Sequence, residues 1–213
     1  MKKILMSIII TAIAINLQAQ SEKFTAAIKS NIAAIETSFK NPSSLITVAN
    51  NFERIGLAEK NQWLPFYYAG YCHVMYAFMQ QDPSGNDAIA DKAEALINKA
   101  DSLAPDNSEI SSVKSMIATV RMIVNPEQRY MKYGTEANEL MEKAKQQDPT
   151  NPRPYYLQGQ NLKNTPEQFG GGCKTAKPLL DAAMQKYGAF KTQSDIHPNW
   201  GKPITVELLN QCK

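Results

Sequence analysis

The feature that most constrains this chain is a pattern that returns three times: an alanine, a large apolar residue four positions on, and a second alanine three after that. It reads Ala93, Ile97 and Ala100, then Ala137, Met141 and Ala144, then Ala176, Leu180 and Ala183. Spacings of four and three place the three side chains on one face of a helix, and the alanines let a neighbouring helix approach closely. Pro105 and Pro149 stand five positions beyond the first two instances, and Gly188 holds that place after the third. A complementary frame of proline, aromatic, tyrosine, two residues and glycine occurs at Pro65 to Gly70 and again at Pro154 to Gly159. Its glycine permits a helix to lie close against the alanine-lined one. Paired helices follow.

No segment of useful length alternates apolar and polar residues, whereas several carry the helical i, i+3, i+4, i+7 recurrence. The expected fold class is all-α. Turn signals at Asn41-Pro42, Pro83-Ser84-Gly85, Pro105-Asp106-Asn107, Asn125-Pro126, Pro149 to Pro152, Phe169 to Gly172 and His197-Pro198-Asn199 divide the chain. Helices are expected at about 22 to 39, 43 to 58, 63 to 81, 87 to 103, 109 to 124, 129 to 147, 154 to 163, 174 to 187 and 203 to 212. Pro65 and Pro178 are expected in first turns, because deeper in a helix each forfeits a backbone hydrogen bond and clashes with the preceding turn.

Met1, Lys2 and Lys3 precede an apolar run from Ile4 to Ile15. A basic start and a short apolar stretch make a secretory signal peptide, and the run is too short to span a bilayer. We place cleavage after Ala19, with Ala12-Ile13-Ala14 as an alternative small-x-small match, and take residues 20–213 as a single domain. Export to a periplasmic or secreted location is expected, with no stable membrane insertion after cleavage. The formal charge of +3 falls to +1 without Lys2 and Lys3, which leaves no basic footprint for nucleic acid. Two His and three Cys offer no zinc-ligand spacing.

The Ala-lined helices and the Pro-aromatic-Tyr frames are second-helix and first-helix signatures of a tetratricopeptide repeat, recurring at intervals longer than the standard one. The expected architecture is a short right-handed solenoid of irregular repeats with a C-terminal capping helix. Such a fold presents its first helices on a concave face. Repeat numbering turns Tyr67, Tyr71, Tyr156 and Gln160 toward that face, where rigid amphipathic rings suit recognition. Tyr68 and Tyr155 are expected in the core, and Cys72 behaves as a small buried hydrophobe. Cys173 and Cys212 bracket the final helix pair, and in an oxidising compartment a disulfide between them is expected. Gly170-Gly171-Gly172 ahead of a helix could cradle an anion, but it lacks a P-loop's lysine and hydroxyl, so a tight turn is the better reading. His73 and His197 have no partner at a fixed spacing, and no acid-base or nucleophile constellation is present.

The run Asp148 to Tyr156, then Phe169-Gly170-Gly171-Gly172, then Ala176 to Ala183, then His197-Pro198-Asn199-Trp200-Gly201 resembles a group of exported tetratricopeptide-like proteins of Bacteroidetes without an assigned activity. The Phe-Gly-Gly turn before the last Ala-lined helix is also similar to the T-component proteins of TRAP transporters, over the final third alone. The resemblance implies a helical-repeat fold and export, and it carries no catalytic residues. The function expected is non-catalytic binding of a peptide or protein partner on the concave face, without a cofactor. The alternative is a small-ligand-binding protein serving solute transport.

Overall fold

The computed structural model describes residues 22–213, so the proposed signal segment 1–19 lies outside the described residues. Every long regular element among the described residues is an α-helix. They are α1 (22–38), α2 (Ser44–Ala58), α3 (Trp63–Phe78), α4 (Asn86–Leu103), α5 (Ser108–Ile123), the single turn α6 (Pro126–Arg129), α7 (Thr135–Gln147), α8 (Arg153–Asn164), α9 (Cys173–Ala189) and α10 (Lys202–Asn210). Local chemistry sets several starts. The Asn107 side chain accepts from the Glu109 N–H at 2.9 Å and caps α5, while Asn125 accepts from the Gln128 N–H at 3.3 Å with Pro126 at the first helical position.

Helices α3 and α4, α5 and α7, and α8 and α9 pack as pairs. The first members, α3, α5 and α8, touch in series, and α10 lies against both α8 and α9. The first members α3, α5 and α8 thus form one row, and their partners α4, α7 and α9 lie against it as a second. All six alanines of the threefold pattern are buried, as are Ile97, Met141 and Leu180 between them. The frame glycines explain the close approach: a Cβ on Gly70 would sit 2.6 Å from Ile97 Cγ1, and one on Gly159 would sit 2.8 Å from Leu180. The middle apolar residue of the second helix thus fits into the gap that the first helix's glycine leaves.

Helix α5 sits between neighbours in both rows and is buried along most of its length. Its buried hydroxyls find partners: Ser112 donates to the Ser108 carbonyl and Ser115 to that of Ser112 within the helix, and Ser108 donates to the Ala144 carbonyl of α7, each at 2.7 Å. Small hydroxyl residues therefore allow close packing here without orphaned polar groups.

Two expectations change. Pro178 lies in the second turn of α9, which starts at Cys173. The carbonyl it deprives of a helical partner belongs to Lys174, and both residues are exposed, so the break falls on the solvent-facing side of α9. The helix expected from 129 begins at Pro126 and passes through a π-turn, Tyr130–Gly134, before α7. Asn125 nucleates the earlier start, and the wider turn shifts the phase of the apolar pattern. Tyr130 and Met131 in that turn are exposed.

Candidate binding site

Tyr67 and Tyr71 project from α3, and Tyr156 and Gln160 project from α8 at the corresponding positions of the second frame. The structure brings the three tyrosines together around one residue, Trp200, which precedes α10. The Trp200 indole stacks on Tyr71 with ring centroids 5.0 Å apart and meets Tyr156 edge-on at 6.3 Å. Its Nε1–H donates to the Tyr67 hydroxyl at 2.8 Å. Gln160 is half-buried beside the Tyr156 hydroxyl, to which it hydrogen-bonds. Tyr67, Tyr71 and Tyr156 are 0%, 6% and 4% exposed, so the chain itself fills the groove that their placement forms.

The filling segment is residues 190–201, between α9 and α10. Three of its backbone carbonyls are gripped by side chains from three helices. The Tyr68 hydroxyl of α3 donates to Ile196 O at 2.9 Å, Arg153 of α8 donates through Nη2 to Pro198 O, and the Tyr187 hydroxyl of α9 donates to Trp200 O at 2.9 Å. Farther along, Asp195 pairs with Lys29 of α1 at 2.6 Å, an exposed contact of small energetic weight. Gly201 ends the segment at φ +102, in the left-handed region where glycine is favoured, and a Cβ there would stand 2.1 Å from the Tyr187 hydroxyl oxygen.

Beneath this segment lies a buried ion pair. Arg153 is completely buried and donates through Nη1 to Glu109 Oε1 at 2.8 Å, and its guanidinium lies over the Trp200 and Phe190 rings at 5.2 and 5.0 Å. Asn151 donates to Glu109 Oε1 at 2.9 Å, and its own carbonyl oxygen accepts from the Arg153 backbone N–H at 3.0 Å. Burial pushes the Glu109 carboxyl up to about 7, with Arg153 opposing the shift. The same burial holds the Tyr67 and Tyr71 hydroxyls well above their usual range, so both are protonated donors at neutral pH.

Beside residues 190–197 lies an open cleft of about 810 Å³, whose walls include Asn107, Glu109, Asp148, Lys186, Phe190 and His197. His197 meets the Trp63 ring edge-on at 5.9 Å, its Nδ1 is buried without a partner, and burial lowers its pKa. His73 is buried elsewhere on α3 with both ring nitrogens unpaired, and burial holds it below its usual range. Cys72 is buried with a free thiol, Tyr68 is buried, and Tyr155 is half-buried under the Lys145 and Lys186 ammonium groups. The three glycine N–H groups of Gly170, Gly171 and Gly172 donate to Glu167, Pro166 and Leu162 carbonyls, which closes a turn and leaves none for an anion. Cys173 and Cys212 are bonded, with Cα atoms 5.2 Å apart. Among the described residues no group of three or more His, Cys, Asp or Glu could hold a metal ion, and no helix is long and apolar enough to cross a membrane.

Sequence reasoning missed Trp200, Arg153 and Glu109. All three were visible only as members of turns or helix ends, Trp200 inside His197-Pro198-Asn199-Trp200-Gly201 and Arg153 between two prolines. An arginine flanked by prolines at a helix start, where solvent normally takes it, was the one available signal.

Fold and site together define a class: an all-helical protein of packed helix pairs with an aromatic, arginine-bearing cluster at the contact of its first row. Among solved structures, the HusA haemophore from Porphyromonas gingivalis matches with a TM-score of 0.80 and 36% sequence identity, over 89% of this chain and 92% of that one. The chain belongs to the family of that haemophore. No protein-family model and no curated protein sequence matches it.

Proposed function

We propose that this protein is an exported, non-catalytic binder of a haem-type tetrapyrrole. The observation that carries this reading is the similarity to a haemophore at 36% identity along nearly the whole of both chains. The site supports it chemically. A tetrapyrrole is a flat apolar ring with peripheral carboxylates, and the groove that Trp200 fills is walled by the Tyr67, Tyr71 and Tyr156 rings beside the Arg153 guanidinium. The small-ligand alternative is thereby favoured over a peptide or protein partner. In the same reading residues 20–213 form one tetratricopeptide-like right-handed solenoid capped by α10, released from a signal peptide at 1–19. The serial contact of α3, α5 and α8 and the glycine-to-apolar fit within pairs support that arrangement.

Titration of the mature protein with iron(III) protoporphyrin IX, followed by absorbance in the Soret region, tests the proposal. A saturable spectral change at a fixed stoichiometry is expected. No such change, together with specific capture of one envelope protein from native cells, would return the peptide or protein reading.

A further inference from the structure

We propose that residues 190–201 are a displaceable strap, and that Trp200 occupies in the free protein the place of the ligand's flat ring. This rests on the tetrapyrrole reading. On loading, the strap leaves the groove, and Tyr67, Tyr71, Tyr156 and Arg153 close on the ligand.

Four observations carry it. First, the indole is held by contacts that suit any planar aromatic: a face on Tyr71, an edge from Tyr156 and a guanidinium over the ring. Second, the donors that grip the strap, from Tyr68, Arg153 and Tyr187, end on the backbone carbonyls of Ile196, Pro198 and Trp200. A carboxylate oxygen satisfies a hydroxyl or guanidinium donor at least as well as a carbonyl does, so the ligand's acidic groups can replace these bonds. Third, the strap has no helix, and Lys191, Gln193, Ser194, Asp195 and Asn199 face solvent, so beyond the exposed Asp195–Lys29 pair it is anchored chiefly through Ile196, Pro198 and Trp200. Gly201, at φ +102, supplies a pivot at its end. Fourth, α10 does not depend on the strap for its position. The Cys173–Cys212 bond and the packing on α8 and α9 hold it, so the strap can leave while the helix stays. The cleft of about 810 Å³ beside residues 190–197 has Glu109 of the covered site and His197 of the strap in its walls, and it gives the ligand a place to arrive.

Hydrogen exchange of the intact mature protein, read by mass spectrometry with and without saturating iron(III) protoporphyrin IX, separates displacement from a fixed cap. An ordinary binding site is protected by its ligand; here the amides of 191–201 are expected to exchange about tenfold faster when loaded, while those of α10 stay protected. A second measurement uses Trp200→Ala. Removal of an internal competitor is expected to tighten binding about tenfold, because the open state no longer has to be drawn from a small population. If the parent binds and the strap amides stay as protected as in the free protein, or become more so, the strap proposal fails and the tetrapyrrole reading stands. If Trp200→Ala folds and binds more weakly than the parent, Trp200 is a wall of the site and displacement is again ruled out. Should Trp200→Ala fail to fold, the exchange experiment on the parent decides alone. No saturable binding by the parent overturns the reading and the strap with it.

Discussion

Glu109 is pulled two ways: burial favours its neutral form, and Arg153 at 2.8 Å favours its charged form. The balance puts its pKa at about 7 in the folded chain, above the ordinary 4.5. Between those values the folded protein keeps a proton that the unfolded chain has released. The stability this group contributes is therefore fully present below about pH 4.5 and is lost as pH rises through about 7. His73 and His197, held below their usual range by burial, act in the opposite sense as pH rises. A difference measurement isolates the carboxyl: the Tm of the parent relative to Glu109→Gln is expected to fall from about pH 5 to pH 7 and to level off above. A flat difference over that range would mean that Arg153 keeps Glu109 ionised throughout. Glu109→Ala, which leaves Arg153 buried without a counter-charge, is expected to destabilise by about 3–5 kcal/mol in chemical denaturation.

At the scale of elements, the helix pairs depend on the absence of side-chain volume at a few positions. Gly70 and Gly159 admit Ile97 and Leu180, and Ala100 and Ala144 are completely buried where second-row helices meet their neighbours. Gly70→Ala is expected to lower stability despite alanine's better helix propensity. The added Cβ collides with Ile97 Cγ1 and Cδ1, which are themselves confined in the core. Ala100→Leu and Ala144→Leu are each expected to destabilise by about 1–3 kcal/mol through overpacking. Thermal melting checks all three, and variants that melt like the parent would remove the packing account of the repeats. The pairs were legible in the sequence because their signal is local and periodic. The start of α6 and α7 was not, because a π-turn breaks the 3.6-residue period on which such a reading relies.

For the molecule as a whole, the C-terminal end is where stability and the proposed binding site meet. The Cys173–Cys212 bond spans 39 positions and ties a nine-residue helix, too short to be stable by itself, to the start of α9. In the oxidised protein only Cys72 is expected to be free, and intact-mass analysis after alkylation under denaturing, non-reducing conditions should show a single label. Labelling of all three cysteines before reduction would refute the bridge. Cys173→Ser with Cys212→Ser is expected to lower stability by roughly 4 kcal/mol in the chain-entropy picture, less if the loop keeps structure when unfolded. The loss should appear first as fraying of α10 in hydrogen exchange.

What the sequence determined by itself was everything carried by short-range spacing: helical class, pairing of helices, the frames that align Tyr67 with Tyr156 and Tyr71 with Gln160, and the turn at Gly170 to Gly172. These depend on residues within a few turns of one another, so period and breaker chemistry are enough to reveal them. Only the tertiary structure decided that the groove between those tyrosines is filled from within the chain. Trp200 reaches Tyr67 across 133 positions, and Ile196 meets Tyr68 across 128. Arg153 reaches Glu109 across 44 positions and Pro198 across 45. No local pattern encodes such a meeting, because it is fixed by how the rows stack and where the chain then turns back. The placement that turned an open face into a covered one is a long-range packing result, and it is what makes residues 190–201 the part of this protein to test.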